Sequence, residues 1–359
     1  MSSAQATALL VISRLTLTVV LFSAPVDVKQ DVWWQSVPAA LFPLPFVWVA
    51  DRWLWRRFPG QTLPQICEAL LGRWAGRAFA LLWAAFLLLN FSLTLRLTGE
   101  FFAFAFLPTT PQLVIICVIA FLSVWSAKAG LEVMGRAGQV VFPVLTGSIA
   151  LIFLLLLKDI ETRYLLPLEI VKTGPVPHLR DMLNVSARTS EFLWLALAYP
   201  AITDKQRVFR GAVFAQVTIA VLWVLVGVVI FGILGREVER YYFPFFSAAR
   251  TVSIADFLER VDALFPAFWM FGMFLRGGML LWGAAVTAAQ AFGLRQFRPL
   301  VFGLAGIGVT YAVVQAETIV ELQGYVAPEI LTPFMLTFVW LVPLLLVPLA
   351  AVKRRQQTR

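Results

Sequence analysis

Ten apolar stretches, each close to the length of a bilayer crossing, leave this chain few folds to choose from. They run roughly over residues 8–26, 33–50, 78–106, 111–128, 138–157, 187–203, 212–234, 263–292, 299–316 and 329–351. A helix needs about 20 apolar residues to cross the hydrocarbon core. Lipid offers no partner to an open backbone amide, so helices that satisfy their own backbone are the structures that fit such runs. The expected class is all-α: a polytopic membrane protein of about ten transmembrane helices. The third and eighth stretches exceed a perpendicular crossing and should tilt. Composition agrees, with 60% hydrophobic residues and 14% charged, against about 25% charged in soluble domains. The polar stretches near 158–188 and 236–262 are too short for an independent fold, so residues 1–359 read as one membrane domain. No cleavable leader is expected, because Met1–Thr7 carries no basic residue.

The net charge of +9 is not spread evenly. If the N-terminus is cytoplasmic, the inside segments hold 16 basic and four acidic residues, and the outside segments 10 basic and 14 acidic. The positive-inside rule then puts both termini in the cytoplasm. It also accounts for the basic charge without nucleic acid, which is not expected as a partner. Cys67, in a basic loop, and Cys117, mid-span, are too far apart for an expected disulfide. The one histidine, His178, reads as an exposed loop residue. No metal site or cofactor is expected. Trp33, Trp34, Trp48, Trp53 and Trp55 cluster at the ends of the second stretch and read as interfacial anchors.

Five ionisable residues fall inside the apolar stretches: Arg14, Arg96, Glu100, Glu191 and Arg276. A charge in hydrocarbon costs several kcal/mol on the gentler insertion scales, on the order of 3, so such groups pair or line a path. Arg96 and Glu100 are spaced i, i+4 and share a helix face. They read either as a self-neutralising pair or as a proton path. Arg276, followed by Gly277 and Gly278, has Glu191 or Glu100 as a structural partner, or a substrate carboxylate as a ligand. The two glycines allow close helix approach. Glu191 follows Arg188-Thr189-Ser190 and reads either as a helix-start group or as an acid facing a substrate amine. Ser13, Arg14, Thr16 and Thr18 make a polar patch in the first stretch. The threonines either bond back to the preceding turn or line an unwound segment that binds a ligand.

A weak internal repeat is present. The first stretch ends LFSAP at Pro25 and the sixth ALAYP at Pro200, an offset of 175. F-x-x-x-L-R ends at Arg96 and again at Arg276, an offset of 180. Two five-span halves, about 8–157 and 187–351, would have inverted topology, an arrangement typical of secondary transporters.

Several segments together resemble the spore germination receptor B-subunit permeases of the amino acid–polyamine–organocation superfamily. They are SSAQATALLVISRLTLTVVLFSAP, DVWWQSVPAAL, FPGQTLPQICEALLGRWAGRAFALLW, LRLTGEFFAFAFLPTTPQLVI, KAGLEVMGRAGQVVFPVL, RYLLPL, FPFFSAARTVSIADFLERVDALF and QAFGLRQFRPLVF. The chain departs from the family in span one, where Leu15-Thr16-Leu17-Thr18 stands in place of a Gly-Thr-like step. The resemblance implies a LeuT-like inverted 5+5 repeat with helices one and six broken, in the inner membrane of an endospore. It implies A-type and lipoprotein C-type receptor subunits as partners and a small germinant, often an amino acid, as ligand. On that reading Ser13, Thr16, Thr18, Ser190 and Glu191 line the pocket, and Arg14, Arg96, Glu100 and Arg276 tune its charge. The rival readings are an autonomous amino acid permease, proton- or ion-coupled through Glu191 or Glu100, and a scaffold that binds no ligand. No nucleophile–base set or phosphate loop is visible, so an enzyme is the least supported class.

Overall fold

A computed structural model describes all residues except 22–27, 167, 188–190, 251–263, 319–320, 323, 325–326 and 358–359. It describes no side chain at 18–21, 236, 264–268, 328 and 352–357. Helices make up almost all of the described chain, and no strand occurs among the described residues. In chain order they are α1 (Ser3–Leu21), α2 (Val32–Leu41), α3 (Leu44–Ala50), α4 (Leu63–Leu71), α5 (Arg73–Ala105), α6 (Gln112–Ala129) and α7 (Leu131–Leu156). There follow α8 (Ile170–Thr173), α9 (Pro175–Ala187), α10 (Glu191–Ala198), α11 (Val208–Leu234), α12 (Pro244–Ala249), α13 (Leu264–Phe292) and α14 (Arg298–Val314). The last two are α15 (Pro328–Leu336) and α16 (Val342–Gln357).

Seven helical segments are long and apolar enough to cross a membrane, and α1 and α14 add two shorter apolar helices. The protein is an all-α polytopic membrane protein. The second crossing is longer than its apolar core. It runs from Lys29 to Trp55 through α2, α3 and a terminal π turn over Asp51–Trp55. That turn buries Asp51, which lies beyond the expected span end, and Asp51 accepts a 2.9 Å hydrogen bond from Arg56 Nε.

Local chemistry sets the helix ends. The amide and hydroxyl of Ser3 both donate to Asp204, at 2.6 Å each, so a carboxylate two hundred residues away caps α1. Thr62 and Gln65 form a capping box at the start of α4. This short helix carries Cys67, which is buried on α4 and not set in an open loop. At Gly72 and Gly130 one helix ends and the next begins, with φ of +94° and +91°, which favours glycine there.

α13 is the central helix, packed against α5, α6, α7 and α1. Close approach depends on its glycines. A methyl group at Gly277 would collide with the Ser123 hydroxyl of α6, and one at Gly278 with the Ser126 side chain.

The polar stretch 158–188 is more ordered than its composition implies. It forms α8 and α9, and α9 packs on α2. His178 is 4% exposed, so its reading as an open loop residue is corrected. Its Nε2 lies 2.9 Å from Asp31 Oδ2, and its ring stacks on Trp34. Asp31 also accepts the amides of Glu169 (3.0 Å) and Ile170 (2.8 Å). Burying a carboxylate is costly unless several donors meet it, and the fold supplies three.

Candidate functional site

Four helices converge on one buried polar centre. α1 supplies Ser13, α5 supplies Thr94, α10 supplies Glu191 and α13 supplies Arg276. Arg276 is 1% exposed and its guanidinium reaches all three partners. Nη1 donates to the Ser13 carbonyl (3.0 Å), to Ser13 Oγ (2.8 Å) and, in a close ion pair, to Glu191 Oε1. Nε donates to Thr94 Oγ1 at 3.3 Å. Ser13 Oγ in turn donates to Glu191 Oε1 at 3.1 Å. The Thr94 hydroxyl donates to the Asn90 carbonyl and so presents its lone pairs to Arg276.

Glu191 is the first residue of α10, where the helix dipole favours a negative charge. Of the two partners expected for Arg276, the structure selects Glu191 over Glu100. One carboxylate oxygen, Glu191 Oε2, is buried and has no hydrogen-bond partner among the described residues. An ionised oxygen left in that state is costly, and a donor reaching it would gain the desolvation already incurred.

Arg96 and Glu100 form their own i, i+4 pair, with Arg96 Nη2 at 2.6 Å from Glu100 Oε1. Arg96 also reaches the carbonyls of Ala312, Val313 and Glu317 at 3.4–3.5 Å, around the C-terminal end of α14. A cation there complements the helix dipole. Arg14 serves α9 in the same way. Its Nη2 donates to the Val185 carbonyl at 2.5 Å, and its guanidinium lies 4.7 Å from the Trp223 ring centroid.

Thr16 does not face the centre through its hydroxyl. Oγ1 bonds back to the carbonyls of Ile12 (2.8 Å) and Ser13 (3.2 Å). α1 stays helical through Ser13–Leu21, so the polar patch is not unwound. The chain has no glycine there, and the back-bonded hydroxyl adds to the helical ladder instead of replacing it. The Thr18 side chain, Ser190 and Pro25 lie outside the described residues.

Thr94 was missed by reasoning from charge. A signal was available: Asn90, Thr94 and Thr98 recur at i, i+4 on one buried face of α5. A polar line of that kind inside an apolar helix marks a face turned away from lipid.

These crossings and the Arg276–Glu191 pair among them define an all-α membrane protein with a polar interior. The sequence matches the family described as spore germination protein over residues 1–319, and the chain belongs to that family. It is similar to spore germination protein KB of Bacillus subtilis (strain 168), with 21% identity over 92% of this chain and 89% of that protein. It is also similar to spore germination protein YndE of the same strain, with 21% identity over 66% of this chain and 65% of that protein. Spore germination protein XB of Bacillus anthracis shares 25% identity over 55% of this chain and 54% of its own length.

Proposed function

We propose that this chain is the membrane-embedded sensing subunit of a nutrient germinant receptor. It binds a small zwitterion such as an amino acid between α1, α5, α10 and α13. The observation that carries this reading is Glu191 Oε2, a buried carboxylate oxygen without a partner beside a guanidinium already held by Ser13 and Thr94. A ligand ammonium would meet that oxygen, and its carboxylate would compete for Arg276. Binding that favours one of two arrangements of these helices would then shift the receptor toward germination. A ten-pass chain follows if α1, α14 and the α9–α10 pair supply three passes beyond the seven long crossings. The paired arginines of α5 and α13 support an inverted repeat over about 8–157 and 187–351. The reading places the protein in the spore inner membrane, with both termini cytoplasmic and with A-type and lipoprotein C-type subunits as partners.

The test is thermal stability of the purified protein against a panel of amino acids and small sugars. A ligand at a hundredfold excess over its dissociation constant adds about 2.7 kcal/mol. A shift with one ligand, lost in Glu191→Gln, is the expected result. A shift that survives Glu191→Gln removes this site. Ligand-driven uptake by the subunit alone in liposomes would favour an autonomous permease.

A further inference from the structure

A cavity of about 540 Å³ lies between the first turns of α1, the first half of α7 and the start of α11. Its two halves differ in character. Phe142, Pro143 and Phe214 form an apolar wall, and Phe214 is 57% exposed. Arg207 and Arg210 form the other edge. Both arginines are exposed, and no hydrogen bond or ion pair holds either guanidinium among the described residues. Arg207 acts on Asp204 only through its charge, as one of the weaker influences that hold that carboxyl down. The nearest acid in sequence, Asp204, gives its two oxygens to Ser3.

Pro143 adds a third feature. It sits inside α7 and has no N–H, so the carbonyl of Gln139, one turn earlier, loses its helical donor at the cavity wall. An acceptor in that state beside lipid calls for an outside donor. The cavity therefore offers two exposed guanidinium groups, a carbonyl without its usual helical donor and an aromatic wall in one place.

We infer that this cavity binds an anionic glycerophospholipid of the membrane leaflet on the Arg207 side. The phosphodiester lies against Arg207 and Arg210, a headgroup hydroxyl reaches the Gln139 carbonyl, and an acyl chain runs along Phe142 and Phe214. Guanidinium groups suit a phosphate geometrically as well as by charge. This site is separate from the Glu191–Arg276 centre and does not depend on what binds there.

The experiment measures thermal stability of the full chain in detergent as dioleoylphosphatidylglycerol, dioleoylphosphatidylcholine or soluble glycerol phosphate is added. Phosphatidylglycerol should raise the midpoint saturably, and the other two should not. The Arg207→Gln/Arg210→Gln variant should keep the lipid-free midpoint, since both side chains are exposed. Its apparent affinity for phosphatidylglycerol should fall about thirtyfold, from the loss of two attractions to an anionic headgroup. Equal shifts with phosphatidylcholine, or an unchanged phosphatidylglycerol response in the double variant, would overturn the assignment. So would an equal response to glycerol phosphate, which would make the site one for a soluble anion. Phe214→Ala gives a second check, because it should weaken the lipid response without altering either arginine.

Discussion

Arg276 of α13 and Glu191 of α10 form a buried ion pair that Ser13 bridges from α1, with its hydroxyl accepting from the arginine and donating to the carboxylate. Breaking one side of a buried pair strands the other charge, at a cost of about 3–5 kcal/mol. Glu191→Gln and Arg276→Met should each lower the unfolding midpoint strongly in detergent. The double variant should be more stable than the sum of the two losses implies, because no lone charge remains. Additive losses in a double-mutant cycle would mean that the two side chains do not interact.

Arg96 does more than neutralise Glu100. Its guanidinium also reaches three carbonyls around the end of α14, whereas Glu100 has a partly open side chain and no bond to that helix. The two members of the pair should therefore be unequal. Arg96→Gln should cost about 3 kcal/mol or more, as expected for a stranded partner plus lost carbonyl bonds, and Glu100→Gln should cost less. Thermal unfolding of the two variants side by side checks this, and an equal or reversed ranking would show that the contacts to α14 add nothing.

The contrast between these sites shows how far sequence could reach. The all-α membrane class, the long α5 and α13, and four buried charges, Arg14, Arg96, Glu191 and Arg276, were legible, because each depends on local composition, whereas Glu100 keeps a partly open side chain. The Arg96–Glu100 pair was legible for the same reason, since helical spacing alone brings the two together. Arg276 could be narrowed to two partners but not to one. The choice depends on how α10 is rotated against α13, and side chains on both helices set that rotation. His178 was misread because its burial comes from Asp31 and Trp34, about 145 residues earlier. Thr94 escaped notice because hydroxyls are ordinary in apolar helices and its role exists only once Arg276 lies beside it. The cap of α1 by Asp204 is equally non-local.

That cap makes a pH-dependent claim. The Ser3 hydroxyl holds the Asp204 carboxyl below its usual value of 3.8, and burial opposes it in part. A carboxyl whose folded value is depressed contributes stability above its unfolded value and loses it as pH falls through the folded one. The contribution of Asp204 should thus be complete at neutral pH and fade below about pH 4, close to its unfolded value. Asp204→Asn should lower the midpoint at pH 7 and leave it nearer to that of the parent protein at pH 3. A constant difference at both pH values would show that the carboxylate charge is not what holds the start of α1.

The glycines after Arg276 test how tightly the centre is built. Gly277 faces the Ser123 side chain of α6, whose hydroxyl donates to the Ile119 carbonyl. An added methyl must therefore turn that hydroxyl off its carbonyl bonds or push α6 and α13 apart by a few tenths of an ångström, since the Ser123 Cβ is also close. Overpacking of this kind costs typically 1–3 kcal/mol, so Gly277→Ala should destabilise by about that amount even though alanine is the better helix former. The displacement would also carry Arg276, one residue away, off its bonds to Ser13 and Thr94. Ser123→Gly removes the obstructing atoms, so the Gly277→Ala/Ser123→Gly variant should recover part of the loss, measured as the coupling in a double-mutant cycle. Gly277→Ala with parental or higher stability would mean that α6 and α13 are not held in the close contact that positions the Arg276–Glu191 pair.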